Sequence, residues 1–139
     1  MNKIFLDTNV ILDFLLDREP FVDDIEAVIN HALLSNVSVC VSPVTVTTVN
    51  YVVGRIEGKL QARNKIGKIL ELITVEELGP VEIERAQDST FKDFEDAVQN
   101  FCADRAGHRI IITRNTKDFR ESELAIFTPK EYLVKIRQS

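Results

Sequence analysis

The chain has no tryptophan, one methionine, two cysteines, five glycines and four prolines among its 139 residues. Cys40 and Cys102 lie in apolar surroundings and form neither a CxxC nor a Cys/His spacing. They read as small buried hydrophobes rather than as a disulfide, a nucleophile or a metal site. The scarcity of Gly and Pro excludes collagen-like and low-complexity chains. No apolar run is long enough to span a bilayer, and MNKIFLDTNV holds no secretory leader before its first Asp. The expected location is therefore cytoplasmic, with no membrane partner. Positive charge is also in short supply, since 17 Lys and Arg face 22 Asp and Glu and leave a net −5. That balance argues against a generic basic nucleic-acid coat, because phosphate binding by counterion release needs clustered Lys and Arg. Any contact with nucleic acid must be local or carried by a cation.

What is present is ordinary globular material, 45% hydrophobic and 28% charged, at a length that predicts one domain over residues 1–139. KIFL (3–6) reads as a short apolar strand, and Val10, Ile11, Phe14 and Leu15 follow at helical spacing. A second helical stripe runs from 21 to 34, and VSVCVS (37–42) is apolar enough for a strand covered on both faces. Residues 43–57 are rich in β-branched side chains and could form a strand. Pro43 after Ser42, with Val46, Val49, Val52 and Val53 at helical spacing, favours a helix instead. Helices are expected over 59–72, 80–88, 93–106 and 129–136, with strands in 74–78, 109–113 and 126–128. Strands alternating with helices predict an α/β fold, a three-layer α/β/α sandwich around a mainly parallel sheet.

In such sheets, sites form beyond the carboxyl ends of the strands. Asp7 follows KIFL directly, Asp118 lies five residues beyond RIIIT, and Asp93 and Asp96 open the helix that leads into RIIIT. If the first and fourth strands are neighbours, these acids converge. Collected carboxylates repel one another unless a cation sits among them, and hard ions such as Mg²⁺ or Mn²⁺ prefer oxygen donors of this kind. Each acid also has a plainer use: Asp7 as a helix cap, Asp93 with Asp96 as a capping box, Asp118 as a turn bridge. His31 and His108 read as ordinary, partly exposed side chains.

FLDTNVILDFLL, DFEDAVQNFCADRAG and IIITRNTKDF, in that order along the whole chain, resemble the PIN domain family, especially its VapC-like bacterial toxins. The resemblance implies a parallel-sheet sandwich, an Mg²⁺- or Mn²⁺-dependent ribonuclease leaving a 5′ phosphate, frequently a homodimer, and an antitoxin protein as partner. It places the metal-holding acids on Asp7, Asp96 and Asp118, with Asp93 as a further ligand or water-positioning acid. Thr8 and Asn9 would brace Asp7, and Asn115 would orient a water or ligand. One departure stands out. Many PIN nucleases carry a Glu on the helix after the second strand, whereas SPVTVTTVNYVV has no acid, and Thr48 occupies that place.

Charge is also segregated, with net +4 over 55–68, −8 over 71–104 and +4 over 105–139. Arg55, Arg63, Arg114 and Lys117 are the expected RNA contacts, although the 59–68 bases could equally form a solvated helix face. A different class of reading is a noncatalytic PIN-like module that binds RNA or protein, its missing Glu marking lost activity. An aspartyl-phosphatase reading is poorer, because the second Asp it needs two residues past Asp7 is Asn9.

Overall fold

The structure, a computed structural model, describes residues 2–138. Its elements are β1 (Lys3–Leu6), α1 (Thr8–Leu15), α2 (Val22–Leu34), β2 (Ser38–Val41), α3 (Pro43–Glu57), α4 (Lys59–Ile69), β3 (Thr74–Val75), α5 (Pro80–Gln87), α6 (Phe94–Arg105), β4 (Ile110–Ile112), a 3₁₀ turn (Thr116–Phe119), β5 (Ala125–Phe127) and α7 (Pro129–Arg137). The strands form one parallel sheet in the order β3-β2-β1-β4-β5.

Strand alternation sorts the apolar residues onto two covered faces. Ile4, Leu6, Val39, Val41 and Ile112 pack with side chains of α1, α2, α3 and α7. Phe5, Cys40 and Ile111 point the other way, against Cys102 and Ala103 of α6 and Phe119 of the 3₁₀ turn. Helices on both faces make the three-layer α/β sandwich expected from the alternating pattern.

Residues 43–57 show how a local conflict resolves. The Ser42 hydroxyl accepts from Thr45 N at 3.2 Å and Pro43 takes the first turn, so the helix is started by its cap. Val49 and Val53 are then buried against the sheet, and that packing outweighs the strand preference of β-branched residues. Two expectations shrink: the 59–72 helix ends at Ile69, and 74–78 contributes only Thr74–Val75 to the sheet. One expectation is corrected. His108 is not a partly exposed side chain; its ring is 0% exposed, beneath β1 and beside Glu76.

Because β2, β1 and β4 are consecutive in the sheet, the residues just past them emerge together. These are Ser42, Asp7 and Thr113, and Asp7 N donates to Ile112 O at 2.9 Å across the β1–β4 seam.

Candidate acidic metal site

Asp7 caps α1 with its own side chain and is 6% exposed. Its Oδ1 accepts from Thr8 N at 2.8 Å and from Gln99 Nε2 at 3.4 Å, and its Oδ2 accepts from the Thr113 hydroxyl at 2.8 Å. Gln99 is the hub behind it. Its amide nitrogen also donates to Thr8 Oγ1 at 3.1 Å and Thr45 Oγ1 at 2.6 Å, while its amide oxygen accepts from the Ser42 hydroxyl. The Thr8 and Thr45 hydroxyls are 2.9 Å apart. Thr8 of α1, Gln99 of α6 and Thr113 just past β4, backed by Ser42 and Thr45 at the start of α3, thus fix one carboxylate in one orientation, using neutral donors throughout. Burial raises the pKa of Asp7, these hydrogen bonds oppose the rise, and the charge of Asp118 adds to it.

Asp93 caps α6, its Oδ1 accepting from Asp96 N at 2.9 Å. Asp96 therefore sits in the first turn of α6, near enough to Asp7 to feel its charge. Burial, together with the charges of Asp7, Asp93, Asp118 and Glu95, pushes the Asp96 carboxyl up to about 7. Glu95 is raised too, by burial and then by Asp93 and Asp7. Asp93, Asp96 and Asp118 line one small cleft of about 80 Å³ together with Lys92, Lys117, Arg120 and Glu121. Among the described residues, none of Asp7, Asp93, Asp96 and Asp118 forms an ion pair with Lys or Arg.

This donor set fits a hard divalent ion. It is oxygen only, it gathers like charges that among the described residues no Lys or Arg pairs with, and its deepest member is held rigidly. Among the described residues no three of these carboxylates bring oxygens within 4.8 Å of one another. Such spacing suits an ion that keeps several of its waters better than a closed protein cage.

The other expected residues divide. Thr8 joins the bracing network. Asn9 Nδ2 donates to the Thr113 hydroxyl at 3.4 Å, and its Oδ1 accepts from Arg114 N at 3.3 Å. Asn115 enters through its backbone, N to Thr113 Oγ1 at 3.2 Å, rather than through its amide. Thr48 is half-buried on α3 and joins none of these hydrogen bonds; Thr45, one turn earlier, meets Thr8 instead. Lys117 lines the acidic cleft. Arg114 is tied elsewhere, its Nε donating to Asp13 Oδ2 at 2.7 Å and its guanidinium lying 4.2 Å from the Phe21 ring centroid. Arg55 and Arg63 line a separate cleft on the α3–α4 hairpin with Tyr51 and Lys59.

Sequence reasoning missed Gln99, Thr45, Ser42 and Thr113. Two of them carried a usable signal. Thr113 follows β4 as Asp7 follows β1, and Gln99 lies three residues after Asp96, on the same face of α6.

A family model described as the PIN domain matches residues 3–117. The chain is 29% identical over 135 residues to the Ribonuclease VapC1 of Aquifex aeolicus (strain VF5), a match covering 94% of this chain and 92% of that one. Among solved structures, VapBC-1 from nontypeable Haemophilus influenzae aligns with a TM-score of 0.69 at 17% identity, covering 92% of this chain and 98% of that one. VapC20 of Mycobacterium tuberculosis, described as a toxin cleaving the sarcin-ricin loop, aligns with a TM-score of 0.61 at 17% identity over 78% of this chain and 86% of that one.

Proposed function

The chain belongs to the PIN domain family, and on that premise we propose that it is a divalent-metal-dependent endoribonuclease, the toxin of a toxin–antitoxin pair, with Asp7, Asp96 and Asp118 as the metal-holding acids. The observation that carries this reading is the buried Asp7 carboxylate, oriented by neutral donors and surrounded by further acids. A bound Mg²⁺ or Mn²⁺ would supply a water of lowered pKa and offset negative charge at a scissile phosphate. The protein's own part is to hold that charge in place. Gln99 and Thr113 keep both Asp7 oxygens from turning, and Asp93 fixes the end of α6 that carries Asp96. Lys117, with Lys92 and Arg120 on the rim of the same cleft, is placed to meet backbone phosphates, which carry no sequence information.

The antitoxin partner is supported by relatives solved as complexes, such as the VapBC pair from Haemophilus influenzae. RNA as substrate is supported by the name of the Aquifex relative. We further propose a homodimer in the cytoplasm; no helix among the described residues is long and apolar enough to cross a membrane. The rival reading, a weakly active or noncatalytic binding module, draws on one feature: α3 brings Thr45 to the site, and its stretch from Pro43 to Val53 carries no acid. The two separate on Mg²⁺- and Mn²⁺-dependent cleavage of a panel of structured and single-stranded RNAs, with Asp96→Asn as control. Cleavage lost in Asp96→Asn is expected. Cleavage that survives that substitution sinks the site, and RNA binding without any cleavage favours the module.

A further inference from the structure

The α6 face of the sheet holds a second group of ligand-bearing side chains that the nuclease reading does not use. Cys40 sits within β2, in register with Phe5 of β1 and Thr74 of β3. Glu76 follows Thr74 by two residues, so strand alternation puts it on the face of Cys40, and its N donates to Val41 O at 2.8 Å. His108 arrives from α6. Gly107, at φ +80, reverses the chain where an L side chain would be strained, and His108 N donates to Ala103 O at 3.0 Å. The ring lies edge-on to Phe5 with centroids 5.4 Å apart. One ligand atom each from Cys40, Glu76 and His108 falls within 4.8 Å of the others.

We propose that Cys40, Glu76 and His108 form a second metal site, for a borderline transition ion such as Zn²⁺ rather than for Mg²⁺, and that the ion pins the short β3 edge to the core. Thiolate, imidazole and carboxylate are the donor types that such ions take in three-ligand tetrahedral sites, with water in the fourth place. Tetrahedral bonds of the usual lengths set the ligand atoms about 3.3–3.6 Å apart, inside the 4.8 Å that spans the three here, with His108 and Glu76 opening from their direct contact to admit the ion. Charge closes as well. A thiolate and a carboxylate neutralise a divalent ion, which a buried cluster tolerates where a lone charge would not. Access and aim fit too: His108 Nε2 is the ring nitrogen that meets Glu76 Oε2, and it would exchange its proton for the ion. The Glu76 side chain, 16% exposed, gives an ion a way in, whereas Cys40 and His108 are closed off at 2% and 3%.

Other uses of the cluster are weaker. Burial and the Glu76 charge push the Cys40 thiol up to about 12, which makes it a poor nucleophile. Lys3 sits close by, but its ammonium donates to Ala106 O, outside the ligand set. The reward for binding is structural: β3 has two residues, both exposed, and Glu76 is the next one along the chain.

Co²⁺ titrated into the metal-free chain tests this without reference to nuclease activity. The expected result is one equivalent giving a sulfur-to-cobalt charge-transfer band, which oxygen ligation at Asp7, Asp96 and Asp118 cannot produce. The band should persist in Cys102→Ser and in the Asp7→Asn/Asp96→Asn double variant, and vanish in Cys40→Ser. Glu76→Gln, conservative enough to keep the fold if Cys40→Ser does not, should weaken Co²⁺ affinity at least about tenfold. A wild-type chain without the band, a band lost with Cys102 instead of Cys40, or Glu76→Gln binding as tightly as wild type would overturn the site.

Discussion

Asp7 and Asp13 stand at the cap and near the end of the same helix, are 6% and 1% exposed, and are treated in opposite ways by the fold. Asp13 is given cations: Arg114 Nε at 2.7 Å and Arg18 at 3.7 Å. Asp7 is given only hydrogen bonds from neutral groups, and the charges around it are those of other acids. A carboxylate removed from water needs compensation in either case. The fold supplies the counter-charge to Asp13 itself and none to Asp7, where on the proposed reading a divalent ion provides it. On that reading burial alone does not mark the functional acid; burial without an ion-paired Lys or Arg does.

The sharpest way to break this comparison is to neutralise both acids with the same substitution. Asp7→Asn should lower metal-dependent RNA cleavage by about 10²-fold or more, since it removes the best-fixed charge in the site. It should also abolish stabilisation by Mn²⁺ in thermal melts, while stability in chelator stays within about 1 kcal/mol of wild type, because most of the hydrogen bonds remain. Asp13→Asn should do the reverse. It strands Arg114 opposite an uncharged amide and should destabilise by roughly 2–3 kcal/mol, at or below the floor of the about 3–5 kcal/mol for a broken buried pair because Arg114 is partly exposed. Mn²⁺ should still stabilise what folds. Equal metal responses in the two variants would end the distinction.

The next effect lies in what fixes Asp7. Gln99→Leu removes the donor shared by Asp7, Thr8 and Thr45 and leaves the Ser42 hydroxyl without its acceptor. Leaving such groups unpaired costs about 1–3 kcal/mol of stability. As a positioning residue, Gln99 should affect kcat by about tenfold with KM little changed, because it touches the carboxylate and not the RNA. A KM effect at constant kcat would place it among the substrate contacts instead.

Much of this was legible in the sequence, and the reasons are specific. α1 and α6 announce themselves by apolar spacing and by Asp caps, and the strand-end rule leads to Asp7 because β1 is apolar throughout. The pairing of β1 with β4 was a supposition that the register makes concrete, Phe5 with Ile111 and Leu6 with Ile112. What stayed hidden are contacts between residues far apart along the chain. Gln99 is 92 residues from Asp7, Arg114 is 101 from Asp13, and His108 is 32 from Glu76. No local pattern encodes such pairs. Arg114, expected as an RNA contact from its place beside the acids, also pairs with Asp13 of α1, a contact no local pattern announces.

The smallest predicted effect is the most direct measure of an unpaired acid. The Asp96 carboxyl is pushed up to about 7 in the folded chain from an ordinary value of 3.8, so folding disfavours its charged form. The corresponding stability is complete below pH 4 and is lost as pH rises through about 7. In chelator, wild type should therefore weaken between pH 4.5 and pH 8 relative to Asp96→Asn, which has nothing to ionise at that position. Asp96 is half-buried, and solvent screening reduces the difference to about 1 kcal/mol. Asp7 and Glu95 are raised as well, so the wild-type slope alone is ambiguous; the difference between the two chains isolates Asp96. Added Mg²⁺ should reverse the trend in wild type, since a bound cation makes the ionised form the favoured one. Urea melts at the two pH values, with and without the ion, read all four stabilities. Parallel slopes for the two chains would mean that Asp96 is solvated in solution, and that the acidic cleft is more open than the comparison with Asp13 requires.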